Sequence, residues 1–240
     1  MIISAQSRQK EFEKNNNGTS FLSKKIRCEY NTVKGGDVSN FYTLNDCVLM
    51  LSGENLSVRG NVTEEDMEHI LSFCQFLGVY GLETQLDMPM PRNQMFLMEY
   101  KGDGAQNCPE IITNENIYGF SQFCCSNFDG IAFNTVYSHL ARKVNRGLSD
   151  IYYLVQGRKI VSGALASRYG MNEIYITFVS TRPDERKKGY ATKVINHIIN
   201  CNPGRRVILM CEEKLKGFYG EMGFVNYDNV YLYTLREESF

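Results

Sequence analysis

From residue 151 onward, apolar positions come in short runs bounded by glycine-bearing turns. Ile151 to Val155, Lys159 to Arg168 and Glu173 to Ser180 read as three strands, joined by Gln156-Gly157-Arg158 and Tyr169-Gly170-Met171-Asn172. The hydrophobic period then lengthens from 2 to 3.6. Over residues 189 to 200, Val194, Ile195, Ile198 and Ile199 alternate with Lys193, Asn196, His197 and Asn200, which predicts a helix with one buried stripe and places His197 at the surface. A strand Val207 to Cys211, a helix over 213 to 222 and closing strands around Val225 and Tyr231 to Leu235 follow. An antiparallel start that passes into a strand, helix, strand crossover implies a mixed sheet and an α/β class.

The first half shows the same vocabulary in another order. A helix is predicted from about Ser20 to Thr32 after the Asn15-Asn16-Asn17-Gly18 turn. Short strands follow at Phe41 to Leu44, Cys47 to Leu51 and Asn55 to Arg59. Thr63 and Asp66 have capping-box spacing ahead of a helix whose stripe is Met67, Ile70, Leu71, Cys74 and Leu77, and His69 lies off it. Strands are predicted at Val79 to Leu86 and Met95 to Lys101, separated by an irregular Asp87-Met88-Pro89-Met90-Pro91. Gly102, Gly104, Asn107 and Pro109 mark the best boundary, so the chain divides into a smaller α/β domain, 1–104, and a second, 105–240. The second opens with helices over about 115 to 125 and 134 to 146, separated by Asn127-Phe128-Asp129-Gly130. The later one has Val136, Leu140 and Val144 on one side and Arg142, Lys143 and Arg146 elsewhere.

Composition narrows the function classes. The chain has 240 residues, 43% hydrophobic and 22% charged, with a net charge of −1, so neither nucleic acid nor an anionic membrane is called for as a partner. Its longest apolar runs are far short of a membrane span, and Met1-Ile2-Ile3-Ser4-Ala5-Gln6 turns polar too early for a secretion signal, so a cytoplasmic location is expected. The 8 cysteines include no C-x-x-C pair and the 3 histidines no second ligand nearby, so no metal site and no disulfide is expected.

Two signatures carry chemistry. Arg186-Lys187-Lys188-Gly189-Tyr190-Ala191-Thr192 follows a strand and opens a helix, whose first N–H groups lack intrahelical partners. That geometry, with a glycine that lets backbone come close and two lysines, suits a pyrophosphate. One helix and one strand later stands Phe218-Tyr219-Gly220-Glu221-Met222-Gly223-Phe224. The loop lacks the Gly-Lys-Ser/Thr ending of nucleoside triphosphatases and the G-x-G-x-x-G of dinucleotide folds.

Read together, Arg186-x-x-Gly189-x-Ala191 and Phe218-Tyr219-x-x-x-Gly223-Phe224 resemble the Gcn5-related N-acetyltransferases, the GNAT acyl-CoA transferases, over about residues 111 to 240. Residues 18 to 101 more loosely resemble the degenerate first half of a two-part subgroup of that family in Firmicutes, without a phosphate loop. The resemblance implies a GNAT acyl-CoA N-acyltransferase fold in the second half and acetyl-CoA as cosubstrate. The acceptor would be a small-molecule or peptide amine that attacks the thioester directly. It implies that the pantetheine arm lies along Phe178, Val179 and Ser180, that the amides of residues 187 to 191 hold the pyrophosphate, and that the Val179 N–H faces the oxyanion. Phe218 and Thr192 would complete the cofactor site. Tyr219 takes the place of the general acid and Glu173 that of a glutamate base. Where the family often has an asparagine, six residues before the aromatic pair, this chain has Glu212. An acyl-CoA-binding sensor or scaffold without turnover is the alternative, needing the loop but neither Tyr219 nor Glu173. The acceptor, the oligomeric state (monomer or homodimer) and any ligand of the first half stay open at this level.

Overall fold

The computed structural model describes residues 1–36, 39–104, 108–128, 130 and 132–235. Asn107 of the expected boundary and Asp129 of the expected turn lie outside them. The chain forms two compact units. One is built from Met1–Phe96 together with the residues from Asp228 on, the other from Leu97–Tyr227. The composition-based division at 104/105 differs from these changeovers, and the last strand returns to the first unit.

In the first unit, β1 (Ile3–Ser4), β2 (Phe41–Leu44), β3 (Cys47–Ser52), β4 (Asn55–Arg59) and β5 (Gly81–Thr84) lie in that order, with Tyr231–Thr234 of β12 (Phe224–Thr234) on β5. All pairs with assigned register are antiparallel except β4 and β5, which run parallel. Helices α1 (Gln9–Asn15) and α2 (Phe21–Val33) bring Phe12, Ile26 and Tyr30 onto Phe41, Val48 and Met50. The other face is closed by α3 (Glu64–Leu77), whose Ile70 and Cys74 are buried with Leu49, Leu56, Leu82 and Tyr233. The reciprocal cap read from sequence is present: the Thr63 side chain accepts from the Asp66 N–H at 3.1 Å, and Asp66 accepts from the Thr63 N–H at 3.0 Å. His69 is exposed, as its position off the stripe implies.

In the second unit the strand order is β6 (Arg92–Tyr100), β11 (Arg206–Glu212), β10 (Glu173–Thr181), β9 (Lys159–Arg168), β8 (Ser149–Gln156) and β7 (Ile111–Thr113). β10 is parallel to β11 and antiparallel to β9, so this sheet is mixed too. Against it pack α4 (Ile117–Asn127) and α5 (Phe133–Asn145), which bury Phe120, Phe123, Val136 and Leu140 on Ile151, Tyr153 and Leu165. Gly163 is what admits Phe120 there, since a Cβ at that position would stand 2.6 Å from its ring and 2.9 Å from the Tyr152 carbonyl. Residues Val194, Ile195, Ile198 and Ile199 of α6 (Tyr190–Asn200) are buried as their spacing implies. Lys143 departs from its expected place on the polar side of α5 and is 3% exposed.

Six cysteines are buried, Cys125 is half-buried and Cys201 exposed, all of them free thiols. No described helix is long and apolar enough to cross a membrane, and no cluster of metal-ligating side chains occurs among the described residues.

Candidate acyl-CoA site

The second unit has an opening in its sheet. β10 and β11 pair from Glu173↔Arg206 to Ile176↔Leu209 and no further, while β10 continues along β9. The β9 register passes from Thr177↔Leu165 to Ser180↔Gly163, so Phe178 and Val179 together face one residue, Ala164. This is a bulge. Phe178 takes the left-handed φ of 53°, costly for a bulky side chain, and is held there by an edge-on contact with Phe128 at 5.6 Å. The Ser162 hydroxyl fixes the far side, bonding to the Ser180 carbonyl at 3.0 Å and the Thr181 hydroxyl at 2.9 Å. Burial records the parting: residues 173 to 176 are buried and 177 to 181 half-buried.

Beyond β10, Lys187 and Gly189 both adopt left-handed backbone, with φ of 62° and 76°, and α6 begins at Tyr190. No side chain caps α6 and no acidic residue lies in its first turn. Backbone N–H groups alternating with left-handed residues at a helix start form a concave anion site. The residues therefore fit a diphosphate: the first turn of α6 has neither a side-chain cap nor an acidic residue, and Gly189 has nothing within 4 Å of where a Cβ would be. Arg186, Lys187 and Lys188 are exposed, Tyr190, Ala191 and Thr192 half-buried. Lys188 pairs with Glu185 at 2.7 Å, which places a carboxylate beside this lysine's charge.

Tyr219 lies on the short helix α7 (Lys216–Glu221), beyond the end of β11. Its ring is 5% exposed, edge-on to Phe218 at 5.0 Å and Phe224 at 6.0 Å. Burial pushes its hydroxyl up to about 12, with Cys211 of β11 adding to the shift. Cys211 comes two residues after Leu209, where β11 has already left β10. Tyr219 thus stays protonated at neutral pH, a hydrogen-bond and proton donor. Phe218 is 36% exposed. Glu212 is exposed and paired with Lys214 at 2.6 Å.

Glu173 is placed differently. It opens β10, five residues before Phe178, about 17 Å along an extended strand. Its carboxylate accepts from Arg206 at 2.9 Å, and Arg206 also donates to Glu99 at 2.9 Å while its guanidinium covers the Tyr227 ring at 4.2 Å. The structure brings the loop, the bulge and Tyr219 to one end of β10 and β11, and leaves Glu173 at the other. His197, expected at the surface, is half-buried with its ring edge-on to Tyr152 at 5.9 Å, and burial holds its pKa down. Sequence reasoning missed Phe128 and Arg206; the only signal for Phe128 was its place beside a turn.

Residues 121–224 match the model of the acetyltransferase (GNAT) family. Three solved structures share the fold. A GCN5-related N-acetyltransferase from Sphaerobacter thermophilus has a TM-score of 0.62 and 12% identity, over 92% of this chain and 87% of that one. An acetyltransferase from the GNAT family of Colwellia psychrerythraea has a TM-score of 0.56 and 10% identity, over 90% and 98%. A tandem GNAT protein from the clavulanic acid biosynthesis pathway has a TM-score of 0.54 and 11% identity, over 81% of each chain. No curated protein matches the sequence. The open strand pair, the uncapped α6 and the family match converge on residues 121–224, the stretch over which the chain is similar to the acetyltransferase (GNAT) family.

Proposed function

We propose that the second unit is an N-acetyltransferase that moves an acetyl group from acetyl-CoA to a primary amine, in the cytoplasm. What carries the reading is the conjunction at one end of β10 and β11: a bulge, an uncapped helix start and a buried tyrosine hydroxyl. The amides of residues 187 to 191 hold the pyrophosphate, with Arg186, Lys187 and Lys188 lending positive charge. Phe178, Val179 and Ser180 present backbone to the pantetheine arm in the manner of strand addition, and Tyr190, Ala191, Thr192 and Phe218 border it. Acetyl-CoA supplies an activated thioester. The Val179 N–H stands where an oxyanion donor is needed, and the Tyr219 hydroxyl gives a proton to the leaving sulfur. The acceptor must arrive neutral, although a free alkyl ammonium has a pKa near ~10.4. In this reading its proton leaves through water, because Glu173 is held by Arg206 at 2.9 Å away from the parting strands.

Thermal-shift titration with acetyl-CoA, CoA and NAD tests the cofactor. A ligand at about 100 times its Kd stabilises by about 2.7 kcal/mol, so CoA species should raise the transition and NAD should not. The reverse result would remove the proposal. Thiol release from acetyl-CoA across polyamines, amino acids and aminoglycosides then separates an enzyme, which turns over with at least one amine, from an acyl-CoA-binding sensor, which turns over with none.

A further inference from the structure

The first unit contains a strand opening of its own, and it is built for a different ligand. β4 and β5 are parallel and in register through Ser57↔Glu83. Beyond that pair Arg59 stays with β3, opposite Val48, and Thr84 with β12, opposite Tyr231. Between the parted ends lies a cavity of about 350 Å³, walled by Leu22, Val58 and Leu86 and by the polar Thr19, Arg59 and Gln85. That is the low end of the ~300–1,000 Å³ range of small-molecule sites.

A diphosphate has no place here. The helix after β4 is α3, whose start is closed by its own Thr63 and Asp66 and carries Glu64 and Glu65 in the first turn. Nor are the amides of α2 available, since Ser23 N–H donates to Ser20 at 3.3 Å and Leu22 N–H to Gln85 at 3.4 Å. The distinctive group is Arg59. Its guanidinium packs over Gly18, where a Cβ would stand 2.1 Å from Nη2 and displace it from this position. One nitrogen donates to the Asn15 carbonyl at 3.0 Å, and Arg59 forms no ion pair with a carboxylate among the described residues. The nearby carboxylate in the strand pair, Glu83, is already matched by Lys25 at 2.6 Å and by the Ser57 hydroxyl. A half-buried arginine without a carboxylate, at the wall of a cavity that is otherwise half aliphatic, calls for an anion with an apolar body.

We propose that the cleft between the ends of β4 and β5 binds a small organic monocarboxylate, its carboxylate on Arg59 and its apolar body against Leu22, Val58 and Leu86. The site is independent of acyl-CoA binding in the second unit.

Isothermal titration of the full chain with benzoate, in saturating CoA, tests this, with benzamide and inorganic phosphate in parallel. Benzoate should bind at least tenfold more tightly than either. Arg59→Gln should weaken benzoate at least tenfold. Thr19→Trp, at an exposed rim position that tolerates a large side chain, should block the cleft and abolish binding while leaving the unfolding transition and CoA affinity at wild-type values. Equal affinity for benzamide, phosphate binding tighter than benzoate, or wild-type benzoate affinity in Thr19→Trp would each overturn the proposal. Because CoA affinity is read in the same samples, a failure of the acyl-CoA reading is seen separately.

Discussion

Arg206 meets Glu173 at 2.9 Å across a register that sets the two residues opposite each other at the first rung of the parallel β10 and β11 pair. The same guanidinium reaches Glu99 on β6, so one cation ties three neighbouring strands at the end remote from the bulge. A strut of this kind fixes the strand ends whose far portions must part. Removing one carboxylate leaves Arg206 short of an acceptor and should cost about 1–3 kcal/mol. Glu173→Gln is therefore expected to lower the unfolding midpoint while leaving the shape of the kcat pH profile unchanged. Wild-type stability together with loss of the acid limb of the kcat pH profile would instead make Glu173 the base.

In the proposed reaction Tyr219→Phe removes the hydroxyl that protonates the departing sulfur, and it keeps the ring packing with Phe218 and Phe224. Proton transfer of this kind is worth about 10²–10⁴-fold, so kcat should fall by at least 10²-fold with CoA affinity within about twofold of wild type. With the hydroxyl pushed up to about 12, activity should show no loss from Tyr219 ionisation below pH ~10. A variant with unaltered kcat would take Tyr219 out of the reaction.

What sequence could and could not reveal follows the range of the forces involved. The Thr63 and Asp66 cap, the α6 stripe and β9 from Lys159 to Arg168 are decided by residues within a turn or two, and they stand in the structure as read. β1 and β7, of two and three residues, exist through their partners and carry too few side chains for a period. α1 has Phe12 as its one buried residue amid charge, so its helix left no stripe. β12 is a single strand of 11 residues although Asn226, Asp228 and Asn229 interrupt its apolar run, because pairing outweighs local propensity there. At the candidate site, the loop and Tyr219 were legible as short motifs. The Phe128 contact with Phe178 and the Arg206 partner of Glu173 were not, since each joins residues far apart in the chain.

The uncapped start of α6 gives a test in which stability and binding move in opposite directions. Ala191→Asp puts a carboxylate into a first turn that holds none. A negative charge there favours the helix by about 0.3–1 kcal/mol, so the free protein should unfold at an equal or slightly higher temperature. The same charge repels a diphosphate, and CoA affinity should fall at least tenfold by titration calorimetry. Unchanged affinity would place the pyrophosphate elsewhere.

Acid should weaken the two units through different carboxylates. Burial alone would raise Glu99, but hydrogen bonds from Arg206 and Lys101 outweigh it and hold the group below its usual 4.5. In the first unit, the Thr63 backbone N–H and then its hydroxyl hold Asp66 below 3.8. For a depressed carboxylate the unfolded state binds the proton first, so its stabilisation is complete above the ordinary value and disappears as pH falls through the folded one. Urea midpoints of the first unit should thus be flat from pH 7 to about 5 and drop steeply below about 4.5, while in the second unit His197, held down by burial, adds an earlier decline that sets in as pH falls through its ordinary 6.5. Glu99→Gln should lower the neutral-pH midpoint of the second unit and flatten its acid slope, and Asp66→Asn should do the same for the first. Separate probes distinguish the two, Tyr fluorescence being too dispersed and amide hydrogen exchange resolving β10 from α3. If either variant kept the full wild-type acid slope in its own unit, that carboxylate would have no share in the acid response, and the cap or the strut assigned to it would contribute nothing to folding.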